Sequence, residues 1–180
     1  EVVLGLLPFF HVYGMTTVLI LSIMTRNKMV LLPKFDVDLA LKTIDKQKPT
    51  LFPGAPTMYI GLLNHPDIQK YDLSSIKACL SGSAPLPVEI QEKFEVITGG
   101  KLVEGYGLTE TSPVTHANFI WGDRVSGSIG VPWPDTESVI LRSGDNEILP
   151  PGEIGEIVIK GPQVMKGYWN RPEDTAATFS

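Results

Sequence analysis

Tyr106-Gly107-Leu108-Thr109-Glu110 sets an aromatic ring, a glycine, a hydroxyl and a carboxylate directly after a short apolar run. A hydroxyl beside an acid at a strand end suits a hard cation that bridges one protein carboxylate to substrate phosphates. The same Thr-Glu pair is also an ordinary helix start, with the acid near the positive end of the dipole. One strand earlier, Ser81-Gly82-Ser83-Ala84-Pro85 is a turn of small side chains, which lets a flat base or an acyl group approach the backbone. Alone it reads as a plain turn; beside the next strand end, the two segments make the walls of one slot. His11, between Phe10 and Val12-Tyr13-Gly14, can orient a carboxylate through a hydrogen bond and belongs to the residue type that titrates near neutrality. A histidine packed at a strand end is the competing reading.

These residues act together only if folding brings them to one place. From residue 28 to residue 105, short apolar runs alternate with helical patterns: Met29–Leu32, Leu51–Phe52, Ala78–Leu80 and Leu102–Val103 separated by Asp36–Lys46, Ala55–Asn64 and Pro87–Ile97. That alternation predicts an α/β fold, a parallel sheet with crossover helices. Asp36 is an expected N-cap, Pro87 an expected first-turn residue, and Gly99-Gly100 an expected helix stop. In a parallel sheet all strand C-termini share an edge, and ligands bind there. Phe9-Phe10-His11, Pro53-Gly54-Ala55-Pro56 and the two small-residue segments are therefore expected to converge. After about Ala117 the texture changes to Gly, Pro and alternating strands, Glu137–Leu141 and Glu156–Ile159 around the turn Ser143-Gly144-Asp145-Asn146. A small antiparallel unit is expected there, part of a β-barrel-like subdomain over 123–180 that follows an α/β subdomain over 1–122.

The 180 residues, 43% hydrophobic and 19% charged, describe a globular protein with no disordered character. The formal charge of −5 and scattered Lys and Arg argue against nucleic acid as a partner. The longest apolar run, Met15 to Met24, falls short of the roughly 20 residues that cross a bilayer and reads as a packed core helix. Peripheral membrane contact and a homodimer stay open. Cys79, the single cysteine, excludes an internal disulfide, reads as a buried strand residue and fits a reducing, cytoplasmic setting. His65 precedes Pro66 in an expected surface loop, His116 reads as a paired strand residue, and Trp121, Trp133 and Trp169 read as packing residues. No Cys/His ligand cluster, Gly-x-Ser-x-Gly elbow or Gly-x-x-x-x-Gly-Lys-Ser/Thr loop occurs, so metalloprotease, simple serine hydrolase and Walker-type ATPase readings lack support. Glu1-Val2-Val3-Leu4 starts mid-strand and Thr175–Ser180 stops without a cap, which reads as a piece of a longer protein.

Taken together, Pro8-Phe9-Phe10-His11-Val12-Tyr13-Gly14, Ser81–Pro85, Tyr106–Thr111, and Gly152-Glu153-Ile154-Gly155-Glu156-Ile157 through Gly167-Tyr168-Trp169-Asn170-Arg171-Pro172-Glu173 resemble successive motifs of the adenylate-forming superfamily. That superfamily holds the acyl-CoA synthetases, luciferases and peptide-synthetase adenylation domains. Gly5–Tyr13 and Val103–Pro113 look most like bacterial long-chain fatty-acid CoA ligases. The resemblance implies a carboxylate attacking the α-phosphorus of ATP to give acyl-adenylate and pyrophosphate, after which the thiol of coenzyme A displaces AMP. It implies that Thr109 contacts the phosphates, that Glu110 holds Mg2+, and that Ser83, Ala84, Pro85, Gly105, Tyr106 and Gly107 serve the adenylate. It also implies that His11 sits by the acyl carboxylate, with Gly82, Gly107 and Gly130 shaping the acyl wall.

An aryl-acid or amino-acid ligase is the near alternative, and a non-catalytic nucleotide or acyl binding module the distant one. Phe9-Phe10-His11 offers no aspartate for a substrate amine, and Phe9, Val12 and Met15 favour an acid with a greasy body. The family's Ser/Thr/Gly-rich phosphate loop, its ribose-binding aspartate and its mobile C-terminal domain with the adenylation lysine have no counterpart within these 180 residues. Because the resemblance implies that closure of that domain is needed for turnover, these residues alone are expected to be inactive.

Overall fold

Short runs rich in Val, Leu and Ile form strands wherever both faces can be covered. In the computed structural model, which describes residues 1–144 and 147–179, five such runs pair in parallel: β1 (Val2–Gly5), β2 (Lys28–Leu31), β3 (Leu51–Gly54), β4 (Ala78–Ser81) and β5 (Lys101–Gly107). Their spatial order is β2-β1-β3-β4-β5, and β6 (Val114–Ala117) and β7 (Val131–Pro132) extend the sheet antiparallel. The expected parallel sheet is present. A chain that steps outward from β1 to β2 and then returns to β3 on the other side creates a switch point between β1 and β3, where a crevice opens at the strand C-termini. Pro53 sits in β3 where only its β4 neighbour, Leu80, is paired with it; the β1–β3 ladder is confined to Val3 and Leu51. A residue with no N–H is tolerated there because the strands have already parted.

The crossover helices are α3 (Val37–Gln47), α4 (Pro56–Leu63) and α5 (Val88–Thr98). Asp36 caps α3, its side chain accepting the Leu39 amide at 2.9 Å, and Gly99 ends α5 with φ of 72°, as the sequence predicts. Pro87 is the extended N-cap of α5 rather than a residue of its first turn, because the chain still has to leave the Ser81–Leu86 loop. Leu4, Phe52, Cys79 and Leu102 point from the sheet to these helices and meet Leu41, Ile44, Tyr59, Leu62 and Phe94. Phe52, Tyr59 and Phe94 form the centre, with ring centroids 5.0 to 6.4 Å apart in tilted and edge-on arrangements. Cys79 is fully inside this layer, and burial pushes its thiol well above the ordinary range.

The expected core helix over Met15–Met24 is a different object. The segment runs as α1 (Val12–Gly14), a π-helical stretch (Met15–Ile20) and α2 (Leu21–Thr25). Within Met15–Met24 only Val18 and Ser22 are buried, whereas Ile20, Leu21, Ile23 and Met24 are exposed. Apolar content cannot say which faces find a partner. Trp121, Trp133 and Trp169 are likewise exposed and do not serve as core packing. On this second sheet face, Val3, Leu51, Pro53, Leu80 and Val103 line an apolar groove of about 450 Å3 together with Leu21 and Trp133.

After β7, the strands β8 (Glu137–Leu141) and β9 (Glu156–Lys160) form the expected antiparallel pair, followed by α6 (Pro172–Thr178). Of the expected turn Ser143-Gly144-Asp145-Asn146, the last two residues lie outside the described residues, as does Ser180. The stretch leading to β7 is tied back to α5 by Arg124, whose guanidinium grips both carboxylate oxygens of Glu95, Nη2 to Oε2 at 2.6 Å. The Leu102 amide adds a third bond to Glu95 at 2.8 Å. Burial alone raises the Glu95 carboxyl, but Arg124, the Leu102 amide and Lys101 outweigh it and hold the group below its ordinary value of 4.5. A depressed folded value contributes stability that is complete above the unfolded value and lost as pH falls through the folded one. Thermal unfolding followed from about pH 6 down to about pH 3 is therefore expected to lose stability below about 4.5, and Glu95→Gln is expected to remove that part of the slope.

Candidate functional site

Three chain segments meet at the C-terminal edge of the sheet: the entry to α1, the loop after β4 and the end of β5 with the turn that follows. They enclose a cleft of about 310 Å3 lined by His11, Val12, Tyr13, Leu80–Ser83, Gly105–Glu110, Pro113 and Val114. Eight of the site residues expected from sequence converge in it: His11, Gly82, Ser83, Gly105, Tyr106, Gly107, Thr109 and Glu110. Ala84 and Pro85 are exposed on the loop beyond Ser83 and do not line the cleft. Gly130 lies elsewhere, with φ of 87° and its Cα pressed against the backbone of Ala117 and Asn118, where a Cβ has no room. Pro53–Pro56 leave β3 at the same edge but stay outside the cleft; the Gly54 carbonyl contributes by accepting the Gly82 amide at 3.1 Å. Phe9 lines a separate cavity of about 680 Å3 with Leu32, Phe35 and Met58, and Met15 is exposed. Of the apolar neighbours expected around His11, Val12 is the one in the cleft.

His11 is the N-cap of α1, and its Nδ1 accepts the Tyr13 amide at 3.1 Å. With Nδ1 used as an acceptor, Nε2 is the ring's donor, which is what a carboxylate oxygen requires. Tyr13 itself is buried, and its hydroxyl donates to the Leu80 carbonyl at 2.5 Å, so burial drives its phenol well above the ordinary range. Its ring forms the floor under Gly82, where a Cβ would come within 3.1 Å of it. Tyr59 donates to Phe52 O at 2.9 Å and lies 3.1 Å from the same Leu80 carbonyl. Two phenols thus pin the end of β4 just before the small-residue loop, in which Ser83 takes a left-handed φ of 72°.

The second wall is built by backbone contact. A Cβ on Gly107 would collide with the Pro113 carbonyl, to which Leu108 N donates at 3.0 Å. Thr111, buried, closes the turn: its hydroxyl accepts Leu108 N at 2.9 Å and donates to Pro113 O at 2.7 Å. Thr109–Thr111 is a single 3-10 turn, so Thr109 and Glu110 stand at the cleft mouth on a fixed support. Glu110 is anchored from the far side. Its carbonyl accepts Met165 N at 2.8 Å, and its Oε1 accepts the Tyr168 hydroxyl at 2.6 Å. The Tyr168 hydroxyl, helped by the Glu110 backbone amide, holds this carboxyl below the ordinary range.

Tyr13 and Tyr168 are contributors to which the sequence reading assigns no role, although both lie within the motif segments it quotes. Tyr13 stands two residues after the expected histidine but bonds 67 residues away, and Tyr168 reaches Glu110 across 58 residues. No local pattern signals either contact. His116 is paired in β6, bonded to Thr115 and Ser138, and burial lowers its imidazole's proton affinity, in line with a structural role. His65 joins the loop after α4 to Asp38 at 3.2 Å. Among the described residues no cluster of three or more His, Cys, Asp or Glu could cage a metal, and no helix is long and apolar enough to cross a membrane.

This arrangement has relatives. Residues 1–169 match the family described as AMP-binding enzyme. The long-chain-fatty-acid–CoA ligase of Bacillus subtilis strain 168 is 67% identical over 179 residues, covering 99% of this chain and 32% of that protein. The long-chain-fatty-acid–CoA ligase of Escherichia coli O6:H1 is 38% identical over 177 residues, covering 97% and 31%. Among solved structures, the anthranilate CoA ligase AuaEII in complex with anthranoyl-AMP superposes with a TM-score of 0.94 at 30% identity, over 100% of this chain and 35% of that one. The chain thus spans about a third of the length of the curated relatives it matches. Family match, sequence identity and the shared α/β architecture agree, and the chain belongs to the AMP-binding enzyme family.

Proposed function

We propose that the full-length protein carrying these residues is an ATP-dependent long-chain fatty acyl-CoA ligase of the cytoplasm. It would join a fatty acid to AMP with release of pyrophosphate and then pass the acyl group to coenzyme A. The observation that carries this reading is the convergence, in one cleft, of a histidine donor, two walls of small residues and a single carboxylate at the mouth. In it, His11 Nε2 orients the acid, and Gly82, Ser83, Gly105, Tyr106 and Gly107 leave room for the planar adenine and the acyl carbonyl. Thr109 contacts the phosphates, and Glu110 holds Mg2+. Ala84 and Pro85 bound the adenine from the loop, and Gly130 shapes the acyl wall by packing on Ala117 and Asn118, which line the apolar groove. The division into 1–122 and 123–180 belongs to the same proposal.

One carboxylate beside one hydroxyl, with no cage of further acids among the described residues, fits Mg2+, which keeps its waters and takes other ligands from substrate phosphates. When bound, Mg2+ would neutralise the phosphate charge that builds as pyrophosphate departs. A long aliphatic acid is favoured over an aryl or amino acid because the apolar groove of about 450 Å3 adjoins the cleft through Leu80, Pro113 and Val114, which line both.

Acid-dependent ATP–pyrophosphate exchange by the full-length protein tests this, with palmitate, a short fatty acid, a coumarate-like acid and an amino acid compared. Palmitate is expected to support the fastest exchange. Preference for the aryl acid would move the reading to an aryl-CoA ligase. No exchange with any acid by a folded protein would leave a binding module as the better account.

A further inference from the structure

The geometry points to Tyr168 as a positioning residue for Glu110: we infer that its hydroxyl, by fixing the carboxylate through Oε1, sets how strongly that carboxylate serves Mg2+ in the nucleotide complex. This rests on the reading of Glu110 as the metal residue. Glu110 stands at the mouth of the cleft on a one-turn support, and a glutamate so placed samples several rotamers unless something holds it. The Tyr168 hydroxyl donates to Oε1 at 2.6 Å, which restricts that freedom by engaging one carboxylate oxygen. A carboxylate engaged through one oxygen suits the strict octahedral demands of Mg2+, whereas Ca2+ is commonly held by both oxygens of a carboxylate.

The donor is itself held in place. Tyr168 N donates to Thr175 Oγ1 at 2.9 Å, and Thr175 Oγ1 donates in turn to Arg171 O at 2.8 Å, so the first turn of α6 grips the backbone of the tyrosine. Gly167, at φ of 144°, brings the chain so close to Thr175 that a Cβ would lie 2.7 Å from its methyl group. The Met165 amide reaches the Glu110 carbonyl at 2.8 Å, so the segment Met165–Tyr168 engages both the main chain and the side chain of the same residue. Tyr168 is 37% exposed, and its hydroxyl, which also engages the Thr178 side chain, makes its short bond to Glu110. Outer partners of metal-binding side chains commonly carry about 10- to 100-fold of metal affinity.

Calorimetric binding of α,β-methylene-ATP, which cannot undergo the transfer, isolates the effect in the full-length protein. The readout is the ratio of its affinity with saturating Mg2+ to its affinity in EDTA. Tyr168→Phe keeps the ring and removes the donor. It is expected to shrink that ratio roughly tenfold while leaving the metal-free affinity and the thermal midpoint at their original values, and to narrow the preference for Mg2+ over Ca2+. Thr175→Val, which frees the tyrosine backbone, is expected to act in the same direction to a smaller extent. An unchanged ratio in Tyr168→Phe, with Glu110→Ala abolishing the Mg2+ gain, would overturn the role of Tyr168 and leave that of Glu110 standing. No Mg2+ gain in the original protein would overturn both, while palmitate-driven exchange continues to judge the ligase reading separately.

Discussion

Glu110→Ala is expected to lower palmitate-dependent ATP–pyrophosphate exchange of the full-length protein by about 10²- to 10³-fold, the loss typical when one group that stabilises developing charge is removed. The expected effect on stability is small. Glu110 is partly exposed at the cleft mouth, and its turn is closed by Thr111 bonding to Leu108 and Pro113, none of which needs the glutamate side chain. Steady-state exchange at saturating palmitate, together with a thermal scan, separates the two. A variant that exchanges at the original rate would remove Glu110 from the chemistry. A variant with a midpoint lowered by many degrees would make the carboxylate a structural group instead.

Phe94→Ala is expected to give the largest change in stability, about 3–5 kcal/mol. Phe94 is 1% exposed, stacks edge-on to Tyr59 at 5.0 Å and lies 6.4 Å from Phe52. Removing it opens a cavity at the one point where α4, α5 and β3 meet. The cleft is expected to register the loss as well, since Tyr59 is the residue whose hydroxyl reaches Phe52 O and Leu80 O at the end of β4. Denaturant unfolding of the full-length protein, with exchange measured far below the midpoint, checks both parts. A drop of less than about 1 kcal/mol would mean that the site collapses around the missing ring and that the aromatic cluster is not the keystone of this layer.

The alternating part of the fold was legible because its signals are local. Asp36 caps by its own side chain, Gly99 takes the left-handed angle by its own lack of Cβ, and the runs between residues 28 and 105 carry strand and helix periods within themselves. The cleft followed from topology, since parallel strands deliver their exits to one edge whatever the residues are. What stayed hidden depended on partners far along the chain. Whether Ile20, Ile23 and Met24 are covered is set by what packs on them, not by their hydrophobicity, and the same holds for Trp121, Trp133 and Trp169. The Tyr13–Leu80 and Tyr168–Glu110 bonds join residues whose separation is fixed only once the sheet and the small β unit exist. Gly130, which the motif resemblance assigned to an acyl wall, has a backbone reason of its own in the close approach to Ala117.

The π-helical stretch Met15–Ile20 lies between the cleft residue Tyr13 and the short helix Leu21–Thr25. A wide turn of this kind holds one residue more than an α-turn, so it works as a phase shifter in the helical reading frame. Deleting a single residue there would close the wide turn as an α-turn with its flanks still in phase, whereas keeping every residue in a regular α-repeat would rotate everything from Leu21 onward by about 100°. Leu21 would swing off the apolar groove, and Ser22 would leave its buried position. In evolutionary terms, the spacing between His11 and Leu21 is a coupling between the His11 end of the cleft and the lining of the groove behind it, and lengths in this segment are expected to vary together with the groove rather than independently of it.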